Sequence, residues 1–139
     1  MAMLDRGPAP EEIGLAAYVT AVADEVQAVV GGAIWEARPS LMAYIALSSE
    51  CVLHPGRDVM LTWSPTRGWE AALEAAIDGP MLLLARLGEQ VAPDPSVVAR
   101  FADEVLRGEA RCETSLPTLP DGVSLAGELL PYVFRVWLA

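Results

Sequence analysis

The fold of this chain is decided by residues 59–87, VMLTWSPTRGWEAALEAAIDGPMLLLARL. Residues 59–63 form a short branched and aromatic run that a turn signal at 65–68 follows, and Asp78-Gly79-Pro80 marks a second turn. Because short apolar runs joined by tight turns pair with their neighbours, this pattern predicts consecutive antiparallel strands. Residues 81–87 are almost wholly apolar and are predicted to be the last strand, buried in the sheet.

The segment between these turns, residues 69–77, is open to two interpretations. Trp69, Ala71 and Leu73 alternate with Glu70 and Glu74, and this period of two favours a strand, although the alanine content would also suit a helix. The two carboxylates fall on one face of such a strand, and we expect that face to be solvated rather than to do acid-base chemistry.

Upstream, residues 33–38 and 41–47 are short, branched and aromatic, so they predict a hairpin that is followed by a loop over 48–57. Before them, residues 10–30 form one predicted helix, with Pro10 at its first position and Gly31-Gly32 at its end. Its apolar stripe recurs at three- and four-residue steps through Leu15, Tyr18, Val19, Val22, Val26 and Val29.

Downstream, Asp94, Pro95 and Gly108 bracket a second predicted helix over 95–107. The sequence therefore predicts an α+β fold, in which an antiparallel sheet of about five strands forms a meander flanked by the two helices. The domain is expected to span 10–110, after a loose arm over 1–9. A linker over 111–124 then leads to an apolar C-terminal segment, 125–139, whose end is a strand or a short helix.

Composition narrows the range of partners. The chain has 139 residues, enough for one domain, and a formal net charge of -10, which excludes the basic footprint of a nucleic-acid binder and disfavours anionic membranes. Its mean hydropathy is +0.35, too apolar for disorder. We expect a cytoplasmic protein with reduced Cys51 and Cys112, because neither a signal peptide nor a membrane-length apolar run is seen.

An ordered set of short motifs resembles a known family. It comprises Tyr18-Val19 with Ala21-Val22-Ala23, Ala43-Tyr44-Ile45-Ala46-Leu47, His54-Pro55 with Arg57-Asp58, Met60-Leu61 and Trp63, Arg67-Gly68-Trp69, and Val97-Val98-Ala99-Arg100-Phe101. Together they resemble an actinobacterial domain-of-unknown-function family, numbered 6292, over about residues 13–108. The resemblance implies an uncharacterised bacterial domain of this size and supplies no catalytic residues.

Few residues are candidates for catalysis. His54, Arg57 and Asp58 share one loop and could hold a general base, but a shaped turn with solvated or paired charges is the stronger interpretation. Cys51 precedes His54 by three residues, yet its acidic surroundings disfavour a thiolate. Two cysteines and one histidine cannot complete a structural zinc site, and no phosphate-binding glycine loop occurs, so we predict no metal and no cofactor.

The apolar surplus and the C-terminal segment instead predict a protein-association module that self-associates. The aromatic side chains expected at an interface or ligand site are Trp35, Tyr44, Trp63, Trp69, Phe134 and Trp137.

Two other functions stay open. One is a small-molecule binder or accessory enzyme, with a pocket lined by Trp35, Tyr44, Met60 and Trp63 and with His54, Arg57 or Asp58 at its mouth. The other is an immunity-type or secretion-chaperone-like protein whose acidic surface binds a basic partner.

Overall fold

A computed structural model describes residues 9–28, 32–73, 81–110 and 116–138 of the protein. In chain order they form helix α1 (Pro10–Val26), strands β1 (Ala33–Glu36), β2 (Met42–Glu50), β3 (Asp58–Ser64), β4 (Gly68–Leu73) and β5 (Leu82–Arg86), and helices α2 (Pro95–Leu106) and α3 (Leu125–Leu138). The strands make one antiparallel sheet in the order β1-β2-β3-β4-β5. The predicted α+β meander is confirmed.

One face of the sheet carries the core. Because strand side chains alternate, residues of one parity in β2, β3 and β4 point to this face, and Ile45, Leu61 and Trp69 are fully buried there. These residues belong to a single apolar cluster with Val19 of α1 and Val98 of α2. The helices therefore form one layer on this side of the sheet, which is the layering expected from the sequence.

Helix α1 begins as predicted and ends earlier than predicted. Pro10 occupies the first helical position, where its missing N–H costs no hydrogen bond. The helix ends at Val26 because Gln27 adopts a left-handed conformation (φ 56°), and the Gln27 N–H caps the carbonyls of Ala23 and Asp24. The end predicted at residue 30 is thus wrong, and positions 29–31 lie outside the described residues.

Strand β4 resolves the ambiguity over residues 69–77 in favour of a strand as far as Leu73, whereas positions 74–80 lie outside the described residues. The strand begins after a turn at Gly68, whose φ of +65° favours glycine. A Cβ at this position would also lie only 2.9 Å from Pro117 Cγ. Strand β2 runs on to Glu50 through a register shift, so the first three residues of the predicted 48–57 loop are strand.

Strand β5 is not the buried strand that its apolar sequence predicts. It lies at the edge of the described sheet, and only Ala85 is buried, while Leu82 and Leu83 are about half exposed. The pairing passes from Ala71↔Ala85 to Ala72↔Leu83, so Leu84 is an extra, bulged residue. An apolar run of this length does not distinguish a central strand from an edge strand.

The C-terminal segment is helical and packs on its own domain. Ser124 caps α3, because its Oγ accepts a hydrogen bond from the Gly127 N–H at 3.1 Å. Leu129 is fully buried against α1, where a Cβ on Gly14 would lie only 2.7 Å from the Leu129 Cβ. The end of the predicted linker is also packed, since Pro117 is buried and the Thr118 N–H donates to the Glu89 carbonyl at 3.4 Å.

Candidate functional site

Two of the predicted interface tryptophans are core residues. Trp63 and Trp69 are 2% and 0% exposed. The Trp63 Nε1–H donates to the Val91 carbonyl at 2.7 Å, and the Trp69 Nε1–H donates to the Tyr18 hydroxyl at 3.0 Å. Their position follows from strand parity, which points both side chains at the helices, so neither presents area to a partner in this conformation.

Tyr18 joins three parts of the fold at the centre of this core. Its hydroxyl accepts from Trp69 on β4 and donates to the carbonyl of Pro93, before α2, at 2.5 Å. Its ring contacts that of Tyr132 on α3, with centroids 4.7 Å apart. Burial raises the pKa of Tyr18 far above its ordinary value of 10.0, and the hydrogen bond from Trp69 opposes this shift. This tyrosine is therefore a neutral structural group.

The loop candidates for catalysis do not assemble a reactive centre among the described residues. Cys51 and His54 line the same small cavity, of about 100 Å³, together with Leu53 and Val105. However, the Cys51 thiol is buried and donates its hydrogen to the Val105 carbonyl at 3.1 Å, so its described partner is the main chain of α2 rather than His54. Asp58 is exposed at the start of β3, and no hydrogen bond joins it to His54 in this part of the chain.

The pocket that was predicted from four aromatic and methionine residues does not form. Trp35 pairs with Ala43 and Trp63 pairs with the same residue, so both point toward the helices. Tyr44 and Met60 follow the other parity and point to the opposite side of the sheet. The sheet itself separates the two pairs.

That opposite side of the sheet is the candidate site. One row of paired residues crosses all five strands in register, and a second row crosses four of them. We call this surface the open face; it comprises the row Ile34, Tyr44, Thr62, Glu70 and Arg86, the row Ala46, Met60, Ala72 and Leu83, and the adjoining Met42 and Met81. The helices that the structure describes pack in the core cluster on the other side, so no described helix covers it.

At the centre of the open face lies a buried ion pair that sequence reasoning missed. Glu70 is only 7% exposed, in contrast to the solvated position predicted for it. Its Oε2 accepts from Arg86 Nε at 2.9 Å and lies 2.8 Å from Arg86 Nη2, while Arg67 Nη1 lies 3.9 Å from Oε1. The signal was Arg86 itself, since a lone cation in an otherwise apolar strand requires a partner.

Large apolar side chains surround this ion pair. Ile34, Met81 and Leu83 are 52%, 50% and 44% exposed. A depression of about 250 Å³ lies between Met42, Tyr44, Thr62, Glu70, Arg67 and Met81. The predicted contact residue Tyr44 is half-buried here, with its hydroxyl 3.7 Å from Met42 Sδ.

The remaining predicted contact residues lie elsewhere. Trp35 is 43% exposed at the β1 edge, on the helix side of the sheet. Phe134 is exposed on α3, away from the open face, and the Trp137 side chain lies outside the described part of the structure. The open face therefore unites Tyr44 with residues that the sequence did not single out, rather than the predicted aromatic set.

Among the described residues, no group of three or more histidine, cysteine, aspartate or glutamate side chains converges as metal ligands would. No helix in the same ranges is both long and apolar enough to cross a membrane.

Comparison with known proteins identifies one relationship. No curated protein and no solved structure shows significant similarity to this chain. Residues 18–104, however, match the family of unknown function DUF6292, as the resemblance noted in the sequence implies. The match runs from Tyr18 in α1 through the sheet into α2, and it covers more than half of the chain. The protein therefore belongs to the DUF6292 family.

Proposed function

We propose that this protein is a small protein-association module that acts in the cytoplasm as a homodimer, with the open faces of two copies packed together. The observation that supports this is the distribution of apolar side chains on the open face. Ile34, Met81 and Leu83 project from it while the described helices lie on the other side. Such an exposed apolar surface on a small domain is typical of an association site.

The distribution of charge favours a second copy of this chain as the partner that covers the open face. The chain carries a net charge of -10, so two copies repel each other over most of their surface. On the open face, however, the central depression is lined by Arg67 and Glu70, and Arg86 pairs with that glutamate, so arginine outnumbers glutamate there. A basic partner would meet these arginines, whereas the depression of an identical chain brings no described carboxylate beyond the Glu70 that Arg86 already pairs with.

The geometry is also compatible with a symmetric interface. Two sheets pack face to face at about 10 Å when the facing side chains interdigitate. The open face offers protruding Leu83 and Met81 beside the depression at Glu70, and a two-fold axis would place the protrusions of each copy over the depression of the other.

Sedimentation velocity tests this proposal. We expect the full chain to sediment as two 14.8 kDa copies. Leu83→Arg places a charge within the interface and should yield a monomer, whereas Phe134→Arg, at a similarly exposed apolar position on α3, should leave the dimer intact. Because burial of apolar surface holds the copies together, added salt should not dissociate them.

Two outcomes would refute the proposal. The first is a wild-type protein that sediments as a monomer at high concentration. The second is dissociation by the α3 substitution while the open-face variant stays dimeric.

A further inference from the structure

A second surface lies at the β1 edge of the sheet, where the main chain has hydrogen-bonding groups directed outward. The Ala46 N–H donates to the Gly32 carbonyl at 2.7 Å, which makes this residue pair a hydrogen-bonded one in the β1–β2 ladder. Hydrogen-bonded pairs alternate along an antiparallel ladder, so Ala33 and Trp35 turn their N–H and C=O groups away from β2. In the described ranges no strand lies beyond β1 to receive them.

The same edge borders a groove on the helix side. This groove has a volume of about 480 Å³ and runs between α1 and β1, lined by Glu12, Ile13, Ala16, Trp35 and Glu36 among others. Trp35 and Ile13 are each 43% exposed, so the groove has an apolar wall with an accessible indole. Side chains of a strand added to β1 would alternately enter this groove.

The carboxylates at the groove favour a positively charged ligand. Glu12 of α1 lines it, and Glu36 ends β1 at its rim; within the described residues neither forms an ion pair. A cation bound by Glu12 would also lie near Trp35, whose indole quadrupole attracts positive charge. An acidic or uncharged strand gains nothing from these groups, and a second β1 would bring its own Glu36 to the same edge.

We propose that the β1 edge binds an extended basic segment of a partner protein, which adds a strand to the sheet and places arginine or lysine side chains in the α1–β1 groove. The main chain of Ala33 and Trp35 supplies the strand pairing. Glu12 receives a cation in the groove, and Trp35 and Ile13 contact its aliphatic stem, while Glu36 at the end of β1 attracts a second cation at the rim. This surface is separate from the open face, so the inference does not depend on self-association.

The test uses a short acetylated and amidated peptide of alternating arginine and valine, added to the full-length protein. We expect saturable binding that weakens as NaCl is raised, since the cationic contacts are partly exposed. Binding should also slow the amide hydrogen exchange of Ala33 and Trp35, because strand addition engages their N–H groups. A peptide with glutamate in place of arginine should not bind.

Variants assign the binding to the groove. Trp35→Ala and Glu12→Gln should each weaken the peptide about tenfold, the scale of losing one aromatic or charged contact. Glu11→Gln is the matched control, because this exposed residue adjoins Glu12 but does not line the groove. Since all three positions are at least partly exposed, circular dichroism should show an unchanged fold.

Several results would overturn this inference. They are no binding of the arginine peptide, equal binding of the glutamate peptide, equal effects of Glu11→Gln and Glu12→Gln, or binding that leaves the exchange of the Ala33 and Trp35 amides unchanged. A monomeric protein that still binds the peptide would refute the proposed homodimer and leave this inference intact.

Discussion

Removal of one hydroxyl from the core should cost this protein a large part of its stability. Tyr18→Phe keeps the ring and its contact with Tyr132 but deletes the oxygen that accepts from Trp69 Nε1 and donates to the Pro93 carbonyl. Both groups are buried, so neither gains water in exchange. An unsatisfied buried polar group costs about 1–3 kcal/mol, and two of them predict a loss of about 2–6 kcal/mol.

The assay is urea unfolding followed by tryptophan fluorescence. The matched control is Tyr44→Phe on the open face, where the hydroxyl lies 3.7 Å from Met42 Sδ and the residue is only partly buried. That variant should change the free energy of unfolding by less than about 0.5 kcal/mol. If Tyr18→Phe proves as mild as Tyr44→Phe, the account of Tyr18 as the junction of α1, β4 and the segment before α2 is refuted.

Three other predictions concern the same core and the ion pair. The pKa of Tyr18 is raised in the folded protein, so the stabilisation by its neutral hydroxyl is complete below the ordinary pKa of 10.0. Above that pH, the free energy of unfolding of the wild type should fall by about 1.4 kcal/mol per pH unit relative to that of Tyr18→Phe. Urea titrations at a series of pH values measure this difference. Gly14→Ala should destabilise by about 1–3 kcal/mol, since its Cβ would lie 2.7 Å from Leu129 Cβ; a stabilised variant in thermal unfolding would show that α3 does not dock tightly. Glu70→Gln should lower the free energy of unfolding by about 2–4 kcal/mol, because it breaks a mostly buried ion pair with Arg86. Asp103→Asn, at the exposed pair with Arg107, should lower it by about 0.5 kcal/mol or less. Equal urea midpoints for the two variants would contradict this.

Local signals in the sequence predict most of the fold correctly. Asp94 caps α2 through its side chain, which accepts from the Ser96 N–H at 3.0 Å, and Pro10 opens α1 as its geometry favours. The turn before Gly68 and the alternation after it correctly predict the β3–β4 hairpin. These signals succeed because each depends on residues within one turn or one strand.

The errors concern conformations and contacts that leave no recognisable local signal in the sequence. No local signal shows that the Gln27 conformation ends α1 early, or that α3 docks through Leu129 onto Gly14. Glu70 was assigned to water because alternation identifies a face without telling what lies beside it, and its partner Arg86 comes from the next strand. The site was likewise missed, since Tyr44 and Leu83 meet on one face only after the register of four strands is fixed.

The most direct test of the central claim observes the open faces in contact. The chain has five methionines, and Met42, Met60 and Met81 belong to the open face, so methyl groups labelled with ¹³C report on it. In a mixture of labelled and unlabelled protein, an isotope-filtered NOE experiment detects only contacts between different copies. The account predicts such contacts from the Met60 and Met81 methyls to Leu83 of the partner copy. Intermolecular contacts that lie elsewhere, or none in a sample shown to be dimeric, would contradict it.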